Sequence, residues 1–124
     1  MWEDWKSNEV SEEFAARQQV KAAVTIRAGR AALGISQQEL ADRLGISKST
    51  IARIETLEMK PKFDVYARIL ALFKKAGLEI DAPLAEEIVM RISPQALDIA
   101  KRYLDDETKR RSDRKKPRSS LEKE

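Results

Sequence analysis

Apolar positions recur along this chain at helical intervals, in blocks closed by glycine or proline. The first block runs through Phe14, Val20, Ala23 and Ile26 to Leu33; Ile26, Gly29, Arg30 and Leu33 share one face, and Gly34 ends it. Ser11 is a candidate N-cap, and Glu12 and Glu13 follow it where the helix dipole favours acids. A second, short block points Leu40, Ala41 and Leu44 inward behind Ser36 as cap. Gly45 supplies a residue able to take positive φ, and Ile46 drops back into the core. Ser47 caps a third block, expected over 47–58, with Ile51 and Ile54 on one side and Lys48, Ser49, Thr50 and Arg53 on the other. A loop at 56–62 contains Pro61. Asp64 can cap a fourth helix with the stripe Tyr66, Ile69, Leu70 and Phe73, widened by Val65 and Leu72. Lys74 and Lys75 complement its dipole, and Gly77 closes it.

The remainder is patterned less clearly. Residues 78–80 are too few to classify. Asp81, Ala82 and Pro83 look like a helix start, so 84–92 is expected to be helical, although Ile88, Val89, Met90, Arg91 and Ile92 would also suit a short strand. Ser93-Pro94 is a cap followed by a first-turn proline, which predicts a helix over 95–109. Its apolar residues Leu97, Ile99, Ala100, Tyr103 and Leu104 lie outside the central bundle and are expected to form an interface. Beyond Thr108 the sequence KRRSDRKKPRSSLEKE has one apolar residue, Leu121, and is expected to be disordered. At the other end Trp2, Trp5 and Phe14 stand in a polar leader, placed to pack on the domain, a twin subunit or another protein. The division expected is an N-terminal helical extension at 1–21, a compact domain at 22–77, a C-terminal helical, dimerising segment at 78–108 and a basic tail at 109–124.

The second and third blocks matter most for function. Two short helices joined by a glycine turn, with small Ala41 where they approach, form a helix-turn-helix unit, which can set its second helix in the major groove of DNA. Charge agrees. The net charge is only +3, but residues 22–77 hold 10 Lys/Arg against 5 Asp/Glu, 78–108 hold 3 against 8, and 109–118 hold 7 against 1. Positive charge thus gathers on the paired helices and the tail, as a nucleic-acid footprint requires. The absence of cysteine and histidine excludes disulfides, thiolate metal sites and the commonest general base. The carboxylates Glu86/Glu87 and Asp105/Asp106/Glu107 fall on expected surface helices, so no enzyme, cofactor or metal is expected. No apolar run can span a bilayer, and the acidic, aromatic start is unlike a cationic export leader. A soluble cytoplasmic protein is expected.

The stretch IRAGRAALGISQQELADRLGISKSTIARIE, with the Pro61 loop and the helix ending LFKKAG, resembles the lambda-repressor-like, Cro/XRE-type helix-turn-helix family. The resemblance runs from about Val24 to Gly77 and implies an all-α helix-turn-helix bundle. It implies that Gln37 touches a phosphate and braces the recognition helix. It implies that Lys48, Ser49, Thr50 and Arg53 face base edges, and that Lys60 and Lys62 charge a backbone-contacting loop. It also implies an ion pair between Arg30 and Glu55. Arg27, projecting from the first helix, is a further candidate for the flanking backbone. The family's fifth helix is not plain after Gly77.

The function expected is a sequence-specific DNA-binding regulator of prokaryotic or phage type, acting as a homodimer on double-stranded DNA with a palindromic operator, and as a repressor because occupancy of a promoter suffices. The alternative is an antitoxin whose arms bind a toxin while the central domain represses its own operon. Control of a mobile element or of lysogeny differs in context rather than chemistry.

Overall fold

The computed structural model describes residues 8–81 and 87–107. Among them the chain forms α1 (Asn8–Leu33), α2 (Gln37–Leu44), α3 (Lys48–Glu55), α4 (Phe63–Lys75), strands β1 (Leu78–Ile80) and β2 (Met90–Ile92), and a further helix, α5, over 94–107. The all-α helix-turn-helix bundle is what forms. No described helix is long and apolar enough to cross a membrane. The leader with Trp2 and Trp5, the Pro83 helix start, residues 84–86 and the basic tail lie outside the described residues.

One core joins all these helices. Ile26 and Leu33 of α1 meet Leu40, Ala41 and Leu44 of α2, Ile51 and Ile54 of α3, and Ile69 and Phe73 of α4; Leu78 and Ala96 extend it towards the C-terminus. Ala41 is fully buried, as the close approach of α2 and α3 demands. Ser36 forms a complete capping box with Glu39, and Gly45 takes φ 70° to end α2. The Arg68 guanidinium donates to the Leu44 carbonyl at 2.6 Å, so α4 satisfies the last turn of α2. At Gly29 the backbone of α1 lies against the Phe73 ring; an added Cβ would stand 2.3 Å from the nearest ring carbon.

Three local expectations are corrected, and the first block forms one continuous helix as its pattern reads. α1 begins by Asn8, so Ser11 lies inside the helix rather than capping it, since nothing at 8–10 breaks a helix. The same helix passes unbroken through Lys21, and the Gln19 amide donates to the Leu57 carbonyl at 3.0 Å. α3 stops at Glu55 rather than 58: the Thr56 hydroxyl donates to the Ala52 and Arg53 carbonyls, and Leu57 turns to φ 68°. α4 starts at Phe63 with Lys62 as N-cap, which leaves Asp64 in the first turn, favoured by the dipole without capping.

The largest departure concerns the stretch after Gly77. Residues 87–89 are not helical, and Met90–Ile92 pairs antiparallel with Leu78–Ile80 in the register Leu78↔Ile92, Glu79↔Arg91 and Ile80↔Met90. Arg91 and Asp81 add an ion pair at 2.8 Å. The β-branched run finds a partner strand whose three residues are too few to announce themselves. The hairpin then returns the chain to the bundle. Ser93 caps α5 by accepting from the Ala96 N–H, and the Gln95 amide donates to the Lys75 carbonyl at 3.0 Å. Ala96 is fully buried, and Ile99 and Tyr103 pack on the core, so α5 lies against the bundle rather than outside it. Leu97 and Leu104 are each 57% exposed.

Gly29→Ala should therefore destabilise the fold by about 1–3 kcal/mol through overpacking against buried Phe73, although alanine favours a helix by up to about 1 kcal/mol over glycine. Urea denaturation of the variant measures this.

Candidate nucleic-acid interface

α3 has two sharply different sides. Ile51 and Ile54 are 0% and 2% exposed and seat the helix on the core. Ser47 begins it by accepting from the Thr50 N–H. Lys48, Ser49 and Arg53 are exposed, and Ser49 and Arg53, four residues apart, share one face. Thr50 is half-buried, and its hydroxyl is engaged with that of Ser47 at 2.8 Å, leaving it less free than its neighbours.

The inner end of α3 is fixed by charge. The Arg30 Nε and Nη2 donate to the two Glu55 carboxylate oxygens, each at 2.7 Å, with Glu55 only 5% exposed. Arg30 Nη1 also donates to the Ile35 carbonyl at 3.1 Å, and the Gln37 amide donates to Glu55 Oε1 at 3.2 Å. A planar guanidinium matches a carboxylate bidentately, so this network sets the rotation of α3 as well as its position. Gln37 thus links the start of α2 to the end of α3.

The remaining candidates sit elsewhere. Lys60 and Lys62 are exposed on either side of half-buried Pro61. The N-terminus of α4 has no side-chain cap, so its first N–H groups and dipole add to the attraction these lysines exert on anions. Arg27 is exposed on α1 in a stripe with Val20 and Val24, apart from the turn that carries Arg30 inward.

The contact that joins α5 to α2 was not legible in the sequence. The Tyr103 hydroxyl donates to Glu39 Oε2 at 2.5 Å, which adds to the capping box of α2 a bond from the far end of the chain. Burial alone would raise the Glu39 pKa. The Tyr103 hydroxyl, the Ser36 N–H and hydroxyl and the charge of Arg43 outweigh this and hold it below the ordinary carboxylate value. Tyr103 is pushed up, first by its bond to Glu39, then by burial and the carboxylate charge. No pattern of types or spacing points to a partner 64 residues away.

A carboxylate with a depressed pKa adds stability that is present above its unfolded value and lost as pH falls through the folded one. Tyr103→Phe should cost about 1 kcal/mol at neutral pH, the low side for a hydrogen bond to a charge because the pair is partly solvated. The gap between variant and wild type should close as acid protonates Glu39. Denaturation midpoints from neutral to acid pH measure both.

Comparison with known proteins agrees with this architecture. Residues 26–80 match the family model for the helix-turn-helix of Cro/C1 type. No curated protein and no solved structure matches the chain. The matched segment covers the Arg30–Glu55 pair, the capped turn and α3, and it ends within the first strand of the hairpin. Residues 26–80, somewhat under half of the chain, are thus similar to the DNA-binding helix-turn-helix of Cro/C1-type, XRE-family regulators.

Proposed function

We propose that the protein is a sequence-specific repressor that reads operator DNA as a homodimer. The observation carrying this is the exposed face of α3: Lys48, Ser49 and Arg53 stand outward on a helix whose other side is locked by two isoleucines and a buried ion pair. Arg53 suits the O6 and N7 acceptors of guanine in the major groove, and Ser49 beside it accepts or donates. Lys48, in the first turn, reaches a base or a phosphate, and Thr50 contributes through its methyl or its shared hydroxyl. Gln37 braces α3 and offers its remaining polar atoms to a phosphate. Lys60, Lys62 and the uncapped start of α4 hold the backbone, with Arg27 a further flanking contact. Repression follows from occupancy, and a cytoplasmic location follows from the target. The basic 109–118 stretch adds sequence-independent attraction.

Dimerisation is supported by Leu97 and Leu104, seven residues apart on α5, and by Ile92 and Val89 nearby in sequence, 44% and 40% exposed. Two copies place two recognition helices about 34 Å apart, one turn of DNA. An antitoxin that binds a toxin as its protein partner is the second reading. It is supported by an open apolar cleft between α1 and the start of α4, lined by Phe14, Ala22, Pro61, Phe63 and Tyr66, where Phe63 is 87% exposed.

Arg53→Ala should cost about 1–3 kcal/mol on the selected operator and relax its base preference, while Lys60→Ala weakens all sequences alike and lowers the salt slope by about 1. Titrations on operator and random duplex at several salt concentrations distinguish these outcomes, and equal losses on both DNAs for both variants would contradict the reading. Leu97→Glu with Leu104→Glu should give a folded monomer by light scattering and weaken operator binding; an unchanged dimer removes the assigned interface. For the second reading, Phe14→Glu with Phe63→Glu should abolish co-purification with the product of an adjacent toxin-like gene and spare operator binding. If wild type retains no such product, that reading fails.

A further inference from the structure

Where α5 rests on the bundle, the packing leaves a cleft of about 580 Å³. Its floor is apolar: Leu33 at the end of α1, Ile35, Leu72 of α4 and Ile99 of α5. Its rim carries three cations from three different helices, Arg43 of α2, Lys75 of α4 and Arg102 of α5. All three are exposed, and none forms an ion pair among the described residues, where the pairs are Arg30–Glu55, Arg91–Asp81 and Lys101–Asp105. Arg43 and Lys75 each sit in the last turn of a helix, where the dipole favours them. That accounts for their places in the sequence; it does not account for the convergence of the three around one depression with an aliphatic base. The anionic group at the margin, Glu39, is already committed to Tyr103 and to the cap of α2.

Glu39 offsets part of the Arg43 charge, but three cations around one depression still repel one another, and an anion placed among them relieves the repulsion. The cleft lies within the range of about 300–1,000 Å³ typical of small-molecule sites, with the usual mixture of apolar lining and a few convergent polar groups. Neither a bare inorganic anion nor a neutral hydrocarbon uses both halves of such a lining. We propose that this cleft binds a small amphipathic anion, a carboxylate or phosphate monoester on an apolar skeleton of roughly six to ten carbons, with the acid group among Arg43, Lys75 and Arg102 and the skeleton on Leu33, Leu72 and Ile99. Such a ligand bridges α5 to α2 and α4, and so tightens the docking of the helix that carries Leu97 and Leu104. The inference goes beyond the DNA-binding reading and does not require it.

Calorimetric titration of the full chain with octanoate and with hexyl phosphate tests it and separates the two acid groups. Octanol, acetate and inorganic phosphate serve as controls. At least one amphipathic anion should bind saturably with a Kd below about 1 mM, at least tenfold (about 1.4 kcal/mol) tighter than every control. Lys75→Glu with Arg102→Glu, both surface changes, should weaken that binding at least tenfold while thermal unfolding stays cooperative, and Arg102→Lys should retain most of it. No saturable binding of either anion would overturn the proposal. So would equal binding of octanol, of acetate or of phosphate, or affinity unaffected by the double charge reversal. DNA titration plays no part in the readout, so failure here leaves the operator reading standing.

Discussion

A buried ion pair between Arg30 and Glu55 governs how this domain presents itself. Breaking such a pair strands a charge in the interior and costs about 3–5 kcal/mol, although the pair itself contributes little net stability over a well-packed apolar alternative. Its value here is geometric. The two 2.7 Å bonds fasten the end of α3 to α1, and Gln37 ties the same carboxylate to α2. A helix of eight residues is marginal alone and takes its orientation from what holds it. With Glu55 fixed inward, Ile51 and Ile54 must face the core, and Ser49 and Arg53 must face out.

Around that point the fold is a set of reciprocal end-satisfactions. Ser36 and Glu39 cap α2 at its start, Arg68 closes its end, and Ser47 opens α3. Tyr103 then adds a bond to the same Glu39 from α5. The C-terminal segment is thereby part of the domain's support as well as a candidate interface. The hairpin makes this possible: it reverses the chain after α4 and delivers Ala96 to a fully buried position.

The local rules carried the sequence a long way. The caps Ser36, Ser47 and Ser93, the turn glycine and the spacing of Leu40, Leu44, Ile51, Ile54, Ile69 and Phe73 are short-range signals that each locate an element or its buried face, whereas Ser11 and Asp64, read by the same rule, do not cap. The Arg30–Glu55 bond forms as the family resemblance implied. What stayed hidden depends on partners remote in the chain. Strand Met90–Ile92 exists because Leu78–Ile80 lies beside it, and neither run is long enough to show a period. Ile99 and Tyr103 read as apolar residues of an isolated helix until the hairpin turns them onto Leu33 and Gly34. The early end of α3 rests on a threonine hydroxyl and a left-handed leucine, and neither choice is signalled by residue type. Among the site residues, Lys48, Ser49 and Arg53 are exposed on α3 where the reading placed them, while Thr50 shares its hydroxyl with a cap and Arg27 lies on a separate stripe of α1.

The central claim is that α3 offers its wet face to base edges while its ion pair stays closed. Chemical-shift mapping of the labelled protein against an operator duplex tests it most directly. The account predicts the largest changes at Lys48, Ser49 and Arg53, smaller ones at Lys60 and Lys62, and little change in the Arg30 guanidinium resonances. Perturbation centred on α1 or α5, with the α3 signals unmoved by bound DNA, would contradict it.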